Sequence, residues 1–430
     1  MPTVISTNNP LATKAKRAKV RSNRLAKNEL EAPQAAPNKG SVAIALAGGG
    51  FLGAAYELGV LCALHEAIEG LDLNSLSQYV GVSAGAYLAA GLANGFTPHQ
   101  MVRMFVEAED SQNPIAPETL LKPAYKSLWK AAAAVPGVVK SALSQRLFSG
   151  GSGWRMLEQL GNSLPAGFID SAPAAQKMAE LFSQPGKSND FRDFDGRLRI
   201  LATDIDSGQS VEFGTPDNSD VPISIAMVAS SAVPGLFAPI SINGRRYLDG
   251  ALNKTLHASV ALQSGAQLVI CINPLVPYVA IDGTVDKNWS LPEVLSQSIR
   301  TVIRSRMAVG LEKYAVTFPN SNVLLFEPHS DDAAVFNTSI FSLKSRRKIC
   351  ELAYEQTRSE LITRRKEIEP KLKQVGLFLR DNVIKGHTPA LVGVNPKQRP
   401  RRPKNLDAAA MRLRHALDDL ERKVLINQLA

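Results

Sequence analysis

The chain has 430 residues, 45% of them hydrophobic and 20% charged, which is a globular composition with room for two or three domain-sized units. No apolar run approaches the roughly 18 residues that a membrane span needs, and the N-terminal segment lacks the apolar core of a secretory signal. The formal net charge of +10 is compatible with nucleic acid, anionic membranes or acidic substrates and does not choose among them.

Residues 1–40 are basic and free of acidic residues up to Lys27, and a stretch rich in Pro, Ala and Asn follows. Because apolar periodicity is absent, we predict a disordered basic arm and linker there. An organelle transit peptide is the alternative interpretation of the same composition.

Two strand–turn–helix units open the structured part of the chain. An apolar run predicts a strand over residues 41–47, and leucines at helical spacing predict a helix over 54–69. The same pattern repeats with a strand over 78–82 and a helix over 84–94. A strand, a glycine turn and a helix that repeat in this order predict a mostly parallel sheet covered by helices.

The rest of the chain continues this pattern with looser boundaries. Further strands are predicted at residues 197–202, 210–213, 267–273 and 322–327. The predicted organisation is an arm over 1–40, a catalytic core over 41–275 with a helical insert at 114–152, a helical remainder of that domain over 276–373, and a basic linker with an amphipathic helix over 374–430.

The three cysteines, Cys62, Cys271 and Cys350, are far apart and show no metal-ligand spacing. Each lies in an apolar or helical context, so we expect buried free thiols. This cysteine usage fits a reducing compartment and favours a cytoplasmic protein.

The segment Gly81-Val82-Ser83-Ala84-Gly85 fits the nucleophile-elbow pattern G-x-S-x-G between a predicted strand and a predicted helix. Such a turn lifts the serine hydroxyl above the sheet edge, and side chains at Gly81 and Gly85 would collide with neighbouring elements. The N-terminus of the following helix directs N–H groups at the reacting centre. A plain strand-to-helix turn is the alternative interpretation of this motif taken alone.

A glycine-rich loop follows the first predicted strand and comprises Gly48, Gly49, Gly50, Phe51, Leu52 and Gly53. The backbone N–H groups of Gly48, Gly49, Gly50 and Phe51, together with that of Ala84, are candidates for an oxyanion hole, and Gly53 completes the motif. The same residues satisfy the dinucleotide pattern G-x-G-x-x-G, but that site needs an acidic residue at the end of the second strand. Here the second strand runs into Ser83, and no acidic residue lies between that strand and Glu107, so the dinucleotide interpretation is disfavoured.

Asp249-Gly250-Ala251 supplies a candidate base for the serine, because a serine hydroxyl needs an adjacent base at neutral pH. The histidines lie in predicted helices, in a polar loop or in the C-terminal extension, where a structural role is more common. They are His65, His99, His257, His329, His387 and His415. Asp204 and Asp206 are alternative bases that we interpret as structural carboxylates at a strand end.

In this order and spacing, the motifs GGGFLG (48–53), GVSAG (81–85) and DGA (249–251) resemble those of the patatin-like phospholipase family. The segment ASSAVPGLFAPI (229–240) and Thr203-Asp204 extend the resemblance. The resemblance implies a three-layer α/β/α sandwich and lipid acyl hydrolysis by a Ser83–Asp249 dyad, with no metal and no cofactor. Leu52 stands where the family has a basic residue that braces the loop, so its presence is expected to lower activity or to shift substrate preference.

The expected substrates are therefore phospholipids or related lipids, reached by docking at a membrane or a lipid-granule surface. The insert at 114–152 mixes apolar residues with cations and lacks acidic residues beyond Thr119, which suits an interfacial segment; a lid packed on the core is the alternative. No nucleic-acid partner is expected, because the basic tails lack interleaved aromatics. A catalytically inactive docking protein, or an esterase of a neutral lipid or storage polyester, remains an alternative function.

Overall fold

A computed structural model of the chain describes residues 40–107, 115, 117–124, 166–277, 291–329, 342–386 and 391. Most of the predicted N-terminal arm, residues 125–152 of the predicted insert, and residues 387–390 and 392–430 of the predicted linker and amphipathic helix lie outside these ranges. The chain divides into one compact unit over Met1–Thr388 and another over Pro389–Ala430, and the fold described below belongs to the first. None of the described helices is long and apolar enough to cross a membrane.

The described strands are β1 (Val42–Leu46), β2 (Ile68–Glu69), β3 (Gln78–Val82), β4 (Lys122–Pro123), β5 (Ile169–Asp170), β6 (Leu198–Asp204), β7 (Ser210–Phe213), β8 (Ile240–Ile242), β9 (Arg245–Asp249), β10 (Leu268–Ile272), β11 (Asn322–Phe326) and β12 (Phe378–Leu379).

The described α-helices are α1 (Gly50–Ala67), α2 (Ala84–Ala93), α3 (Pro98–Val102), α4 (Pro117–Leu120), α5 (Ala172–Phe182), α6 (Ile223–Ser230), α7 (Ala258–Gln263), α8 (Leu291–Thr317), α9 (Leu343–Thr363), α10 (Arg365–Gln374) and α11 (Asp381–Ile384). Short 3-10 or π turns occur at Arg103–Glu107, Phe191–Phe194, Pro216–Asn218 and Gly250–Leu252.

The central sheet has the order β11-β10-β1-β3-β6-β9-β8, with β7 also paired to β6. Strands β11, β10, β1, β3 and β6 run parallel, whereas β7, β8 and β9 join antiparallel. The parallel strands are buried apolar runs, as expected for strands that helices cover on both faces. Helices α7 and α8 pack on one face, and α1, α2 and α9 form the layer on the other, which confirms the predicted α/β/α sandwich.

The pairing of β6 decides where the sheet brings distant residues together. Ile200 and Leu201 pair with β3 on one edge and with β7 on the other. Ala202 and Thr203 pair with β7 and with β9. Because β7 occupies one edge throughout, β3 and β9 must lie end to end along the opposite edge of β6. The end of β9 at Asp249 is therefore placed beside the end of β3.

Several elements differ from those predicted. Helix α1 begins at Gly50, inside the glycine loop, rather than at Ala54. Residues Lys122–Pro123, inside the predicted helical insert, form strand β4. Strands β8 and β9 were not predicted and form a hairpin, and its tip residues Asn243 and Gly244 have φ values of 50° and 78°. A positive φ at both central residues is the geometry that Asn-Gly favours in tight hairpins. Helix α8 was not predicted as a separate element. All three cysteines are buried and unpaired, as predicted.

Substitution of Gly59 and of Gly310 by alanine should change stability in opposite directions. A Cβ atom at Gly59 would lie 2.2 Å from the carbonyl oxygen of Cys350 on α9, whereas one at Gly310 on α8 would meet nothing within 4 Å. We expect Gly59→Ala to lower the free energy of unfolding by about 1–3 kcal/mol through overpacking. Gly310→Ala should raise it by about 0.5–1 kcal/mol through helix propensity. Urea denaturation of the two variants checks both values, and equal effects would contradict the close α1–α9 packing.

Candidate active site

Ser83 links β3 to α2 in a strained backbone conformation, with φ 52° and ψ −123°. A positive φ is uncommon for a residue other than glycine and is found at sites where surrounding contacts enforce it. A Cβ at Gly81 would lie 2.5 Å from the Cα of Ala86, and one at Gly85 would lie 2.5 Å from the carbonyl oxygen of Leu46. The close approach of strand, turn and helix thus requires glycine on both sides of the serine.

Ser230 at the end of α6 holds the serine turn in place. The backbone N–H of Ser83 donates a hydrogen bond of 2.8 Å to the Ser230 hydroxyl, and that hydroxyl donates one of 2.6 Å to the carbonyl of Leu201. Because Ser230 is fully buried, it fixes the turn to β6 without reaching solvent. This role was not predicted from the sequence, where Ser230 is one residue of the segment 229–240.

Asp249 lies at the end of β9 with its carboxylate against Ser83. The N–H of Ala251 donates a hydrogen bond of 2.8 Å to that carboxylate, and the Ser83 hydroxyl lies close enough to stabilise its ionised form. The backbone of Asp249 is fixed on both sides, since its N–H donates to the carbonyl of Ala232 and its carbonyl accepts from the Thr203 hydroxyl at 3.0 Å. A Cβ at Gly250 would lie 2.3 Å from the carbonyl of Leu201, so this turn also needs glycine.

The charge state of Asp249 is unusual for a carboxyl group. Its exposed fraction is 4%, and burial raises its pKa to about 6 because the ionised form loses its hydration. The Ser83 hydroxyl and the N–H of Ala251 lower the pKa and only partly oppose that rise. A carboxyl group with such a pKa is largely ionised at neutral pH and still accepts a proton readily.

The glycine loop passes directly beside the serine. A Cβ at Gly48 would lie 3.1 Å from the Cβ of Ser83, so only a glycine backbone comes this close without a shift. Gly50 has φ +61°, and the N–H of Gly53 donates to the carbonyl of Gly49 at 3.0 Å. Within the described residues, the N–H groups of Gly49, Gly50 and Ala84 donate to no protein acceptor. These donors are therefore available to a ligand.

The side chains of Phe51 and Leu52 make packing contacts and carry no charge that could stabilise an oxyanion. The ring of Phe51 stacks on that of Phe105, with centroids 5.6 Å apart. Leu52 is buried, with an exposed fraction of 4%. The position at which the family has a basic residue is thus part of the core in this protein.

The alternative bases are engaged elsewhere. Asp204 pairs with Arg245, and Asp206 pairs with Arg246. His257 caps the start of α7, and burial together with the nearby charge of Lys254 lowers its pKa to about 3. Among the described residues, no group of three or more His, Cys, Asp or Glu side chains is arranged to hold a metal ion.

A cavity of about 910 Å³ extends from Ser83 and Asp249 between the glycine loop, the turn after β9 and helix α8. Much of its lining is apolar: Val233, Leu252, Leu256, Leu275, Val302 and Ile303. A mainly apolar cavity with a few convergent polar groups is the usual form of a site for a small organic ligand. This one has the size and character to take an acyl chain.

The raised pKa of Asp249 predicts that stability depends on pH. The carboxyl pKa is higher in the folded protein than its usual value of 3.8, so the contribution of Asp249 to stability falls as the pH rises from 4 to 8. Asp249→Asn removes this titration, and its stability relative to wild type should improve by about 2.5 kcal/mol over that range. Urea denaturation at the two pH values measures the change. Asp206→Asn is the control, because Arg246 lowers the pKa of Asp206 below its usual 3.8 and that carboxyl therefore titrates below this pH range; its stability relative to wild type should stay nearly constant. A stability difference between Asp249→Asn and wild type that does not change with pH would contradict the site electrostatics.

Comparison with known proteins assigns the family. VipD from Legionella pneumophila is similar to this chain in structure, with 15% sequence identity over 76% of this chain and 67% of that chain, and with a TM-score of 0.34, a similarity too low to bear on the function. A family model described as patatin-like phospholipase matches residues 44–262, about half of the chain, and that range includes the glycine loop, Ser83 and Asp249. The protein therefore belongs to the patatin-like phospholipase family of lipid acyl hydrolases.

Proposed function

We propose that this chain hydrolyses carboxylic esters of phospholipids or related lipids, with Ser83 as nucleophile and Asp249 as general base. The observation that carries the proposal is the Ser83 hydroxyl beside a buried Asp249 carboxyl, whose pKa burial raises to about 6, in a cavity that both residues line. A serine nucleophile next to a base of near-neutral pKa is the arrangement that acyl transfer needs.

In the first step, the Ser83 hydroxyl oxygen attacks the ester carbonyl and its proton passes to Asp249. The tetrahedral intermediate collapses, and the alcohol leaves with the proton that Asp249 returns to it. An acyl group is then joined to Ser83 through an ester bond. The strained turn supports this step because it holds the hydroxyl at the cavity and limits its motion.

In this proposal the negative oxygen of the tetrahedral intermediate accepts hydrogen bonds from the free N–H groups of Gly49 and Gly50, with Ala84 as a third donor. Fixed donors of this kind stabilise charge that develops in the transition state, and each is worth about 2.7–4 kcal/mol where it has been measured by mutation. The absence of a basic side chain at Leu52 leaves these backbone donors as the proposed source of stabilisation. Gly48 contributes by its close approach to Ser83.

In the second step, a water molecule attacks the acyl group. Asp249 takes a proton from the water, the acyl–serine bond breaks, and the proton returns to the Ser83 oxygen. The products are a carboxylic acid and the starting enzyme. No side chain other than the dyad has to change its protonation state in this scheme.

The lipid substrate implies that the protein works at a lipid surface. We infer peripheral association with a membrane or with a lipid granule, supported by exposed apolar side chains at the edge of the cavity: Val233 at 36%, Leu252 at 44% and Val302 at 54%. Exposed apolar side chains grouped around a binding cavity are typical of surfaces that contact lipid or another protein.

Removal of either member of the dyad should abolish hydrolysis. Ser83→Ala and Asp249→Asn are each expected to reduce kcat on a soluble 4-nitrophenyl ester by at least about 1000-fold, because nucleophile and base act as one unit. Asp206→Asn, which alters an exposed carboxylate paired with Arg246, is the matched control and should keep the wild-type rate. Steady-state kinetics measure these rates, and circular dichroism checks that each variant is folded.

Activity of Ser83→Ala close to that of wild type would reject the proposal. A wild-type protein without esterase activity would favour the docking-protein alternative.

The pH dependence of kcat/KM should follow Asp249. Because the base must be ionised, the rate is expected to rise with pH, with a midpoint at about 6, and to fall tenfold per pH unit well below it. The variant His257→Gln should keep the same midpoint, since the pKa of His257 lies far lower. A midpoint near 4, or one that moves in the histidine variant, would contradict the assignment of the base.

A further inference from the structure

Lys254 lies in the turn that follows Asp249 and reaches towards helix α8. Its backbone N–H donates to the carbonyl of Gly250 at 3.2 Å. Its ammonium group donates to the hydroxyl of Ser259 at 2.9 Å and contacts the hydroxyl of Tyr314. The same ammonium lies 5.0 Å from the centre of the Tyr314 ring. The lysine is thus held in a defined position by two hydroxyls and a ring.

The positive charge of Lys254 has no counterion within the described residues. Its hydrogen-bond partners are neutral hydroxyls, and it forms no ion pair with a described carboxylate. The charge also acts on its surroundings, since it adds to the effect of burial in lowering the pKa of His257. The two hydroxyls and the ring replace part of the hydration that this half-buried ammonium loses, but they do not balance its charge.

Lys254 and Tyr314 line the same cavity as Ser83 and Asp249. Arg306 on α8 lines it as well, and its guanidinium donates to the carbonyl of Asn253 at 3.3 Å. Among the described lining residues, Asp249 is the one carboxylate, and the proposed chemistry already uses it. The rest of the cavity therefore combines two cations with an apolar wall.

We propose that Lys254 and Arg306 form an anion-binding subsite in this cavity, so that the preferred substrate is an ester that carries a carboxylate or phosphate group. This inference rests on the proposed ester hydrolysis and adds the charge of the substrate to it. The anionic group is bound in place of the missing counterion, while the apolar wall contacts the hydrocarbon part. A carboxylate at the end of the acyl chain and a phosphate on the alcohol side are the two sources of that charge.

Two matched pairs of soluble substrates separate these sources. One pair is the 4-nitrophenyl monoester of adipic acid against 4-nitrophenyl hexanoate, which differ at the end of the acyl chain. The other is dihexanoyl phosphatidic acid against dihexanoylglycerol, which differ on the alcohol side. For wild type, we expect kcat/KM to be higher for the anionic member of at least one pair, and that pair identifies the side on which the charge is carried.

In Lys254→Met, the ratio of kcat/KM for the anionic over the neutral member of that pair should fall about tenfold, the loss expected for a hydrogen bond to a charged group. Lys254→Arg, which keeps the charge, should restore part of the ratio. Lys313→Met is the matched control, because Lys313 is exposed on helix α8 and lies outside the cavity lining. This variant should leave the ratio unchanged.

Failure of this inference is distinguishable from failure of the proposed function. If wild type hydrolyses the neutral esters but prefers neither anionic partner, the subsite is wrong and the hydrolase stands. The same conclusion follows if Lys254→Met lowers kcat/KM equally for both members of a pair, since that pattern indicates a structural role. If wild type hydrolyses none of the four esters while correctly folded, the proposed function itself is wrong.

Discussion

The site depends on one constraint in the sheet, which is that β3 and β9 share a single edge of β6. Strand β3 pairs along the first part of β6 and β9 along its last residues, so Ser83 and Asp249 meet although 165 residues separate them in sequence. Glycines on both sides of Ser83 and directly after Asp249 permit this approach, because a side chain at Gly81 or Gly250 would collide with the backbone. Ser230 then ties the serine turn to the same strand. A serine and an aspartate thus come into contact through backbone pairing rather than through flexible side chains.

Burial at this junction sets the chemistry. A carboxylate at a sheet edge in solvent would keep an ordinary pKa and would be a weak base for a serine hydroxyl. Here loss of hydration raises the pKa of Asp249 to about 6, which costs stability at neutral pH and makes proton transfer easier. The free N–H groups of the glycine loop face the same cavity. We interpret the site as one in which backbone geometry positions the N–H donors and burial raises the pKa of the base.

The sequence predicted the residues of the site better than it predicted the elements that assemble them. Short motifs with glycines at fixed spacing identified Gly48, Ser83 and Asp249, because tight turns leave little choice of residue. The β8–β9 hairpin was not predicted, although Asn243-Gly244 between short apolar runs is a hairpin signal. Helix α8 alternates charged and apolar residues without a clear stripe, and its role as a cavity wall depends on tertiary packing. The roles of Ser230 and Lys254 arise from contacts across the fold, which spacing along the chain does not encode.

The central claim is that acyl transfer proceeds through Ser83, and trapping the intermediate tests it most directly. Wild-type protein is mixed with 4-nitrophenyl hexanoate, quenched in acid during turnover and digested for mass spectrometry. The account predicts one hexanoyl group on the peptide that contains Ser83, and none on that peptide from Ser83→Ala. Acylation of a different residue would contradict the account. So would rapid ester hydrolysis for which single-turnover kinetics show that no acyl-enzyme forms.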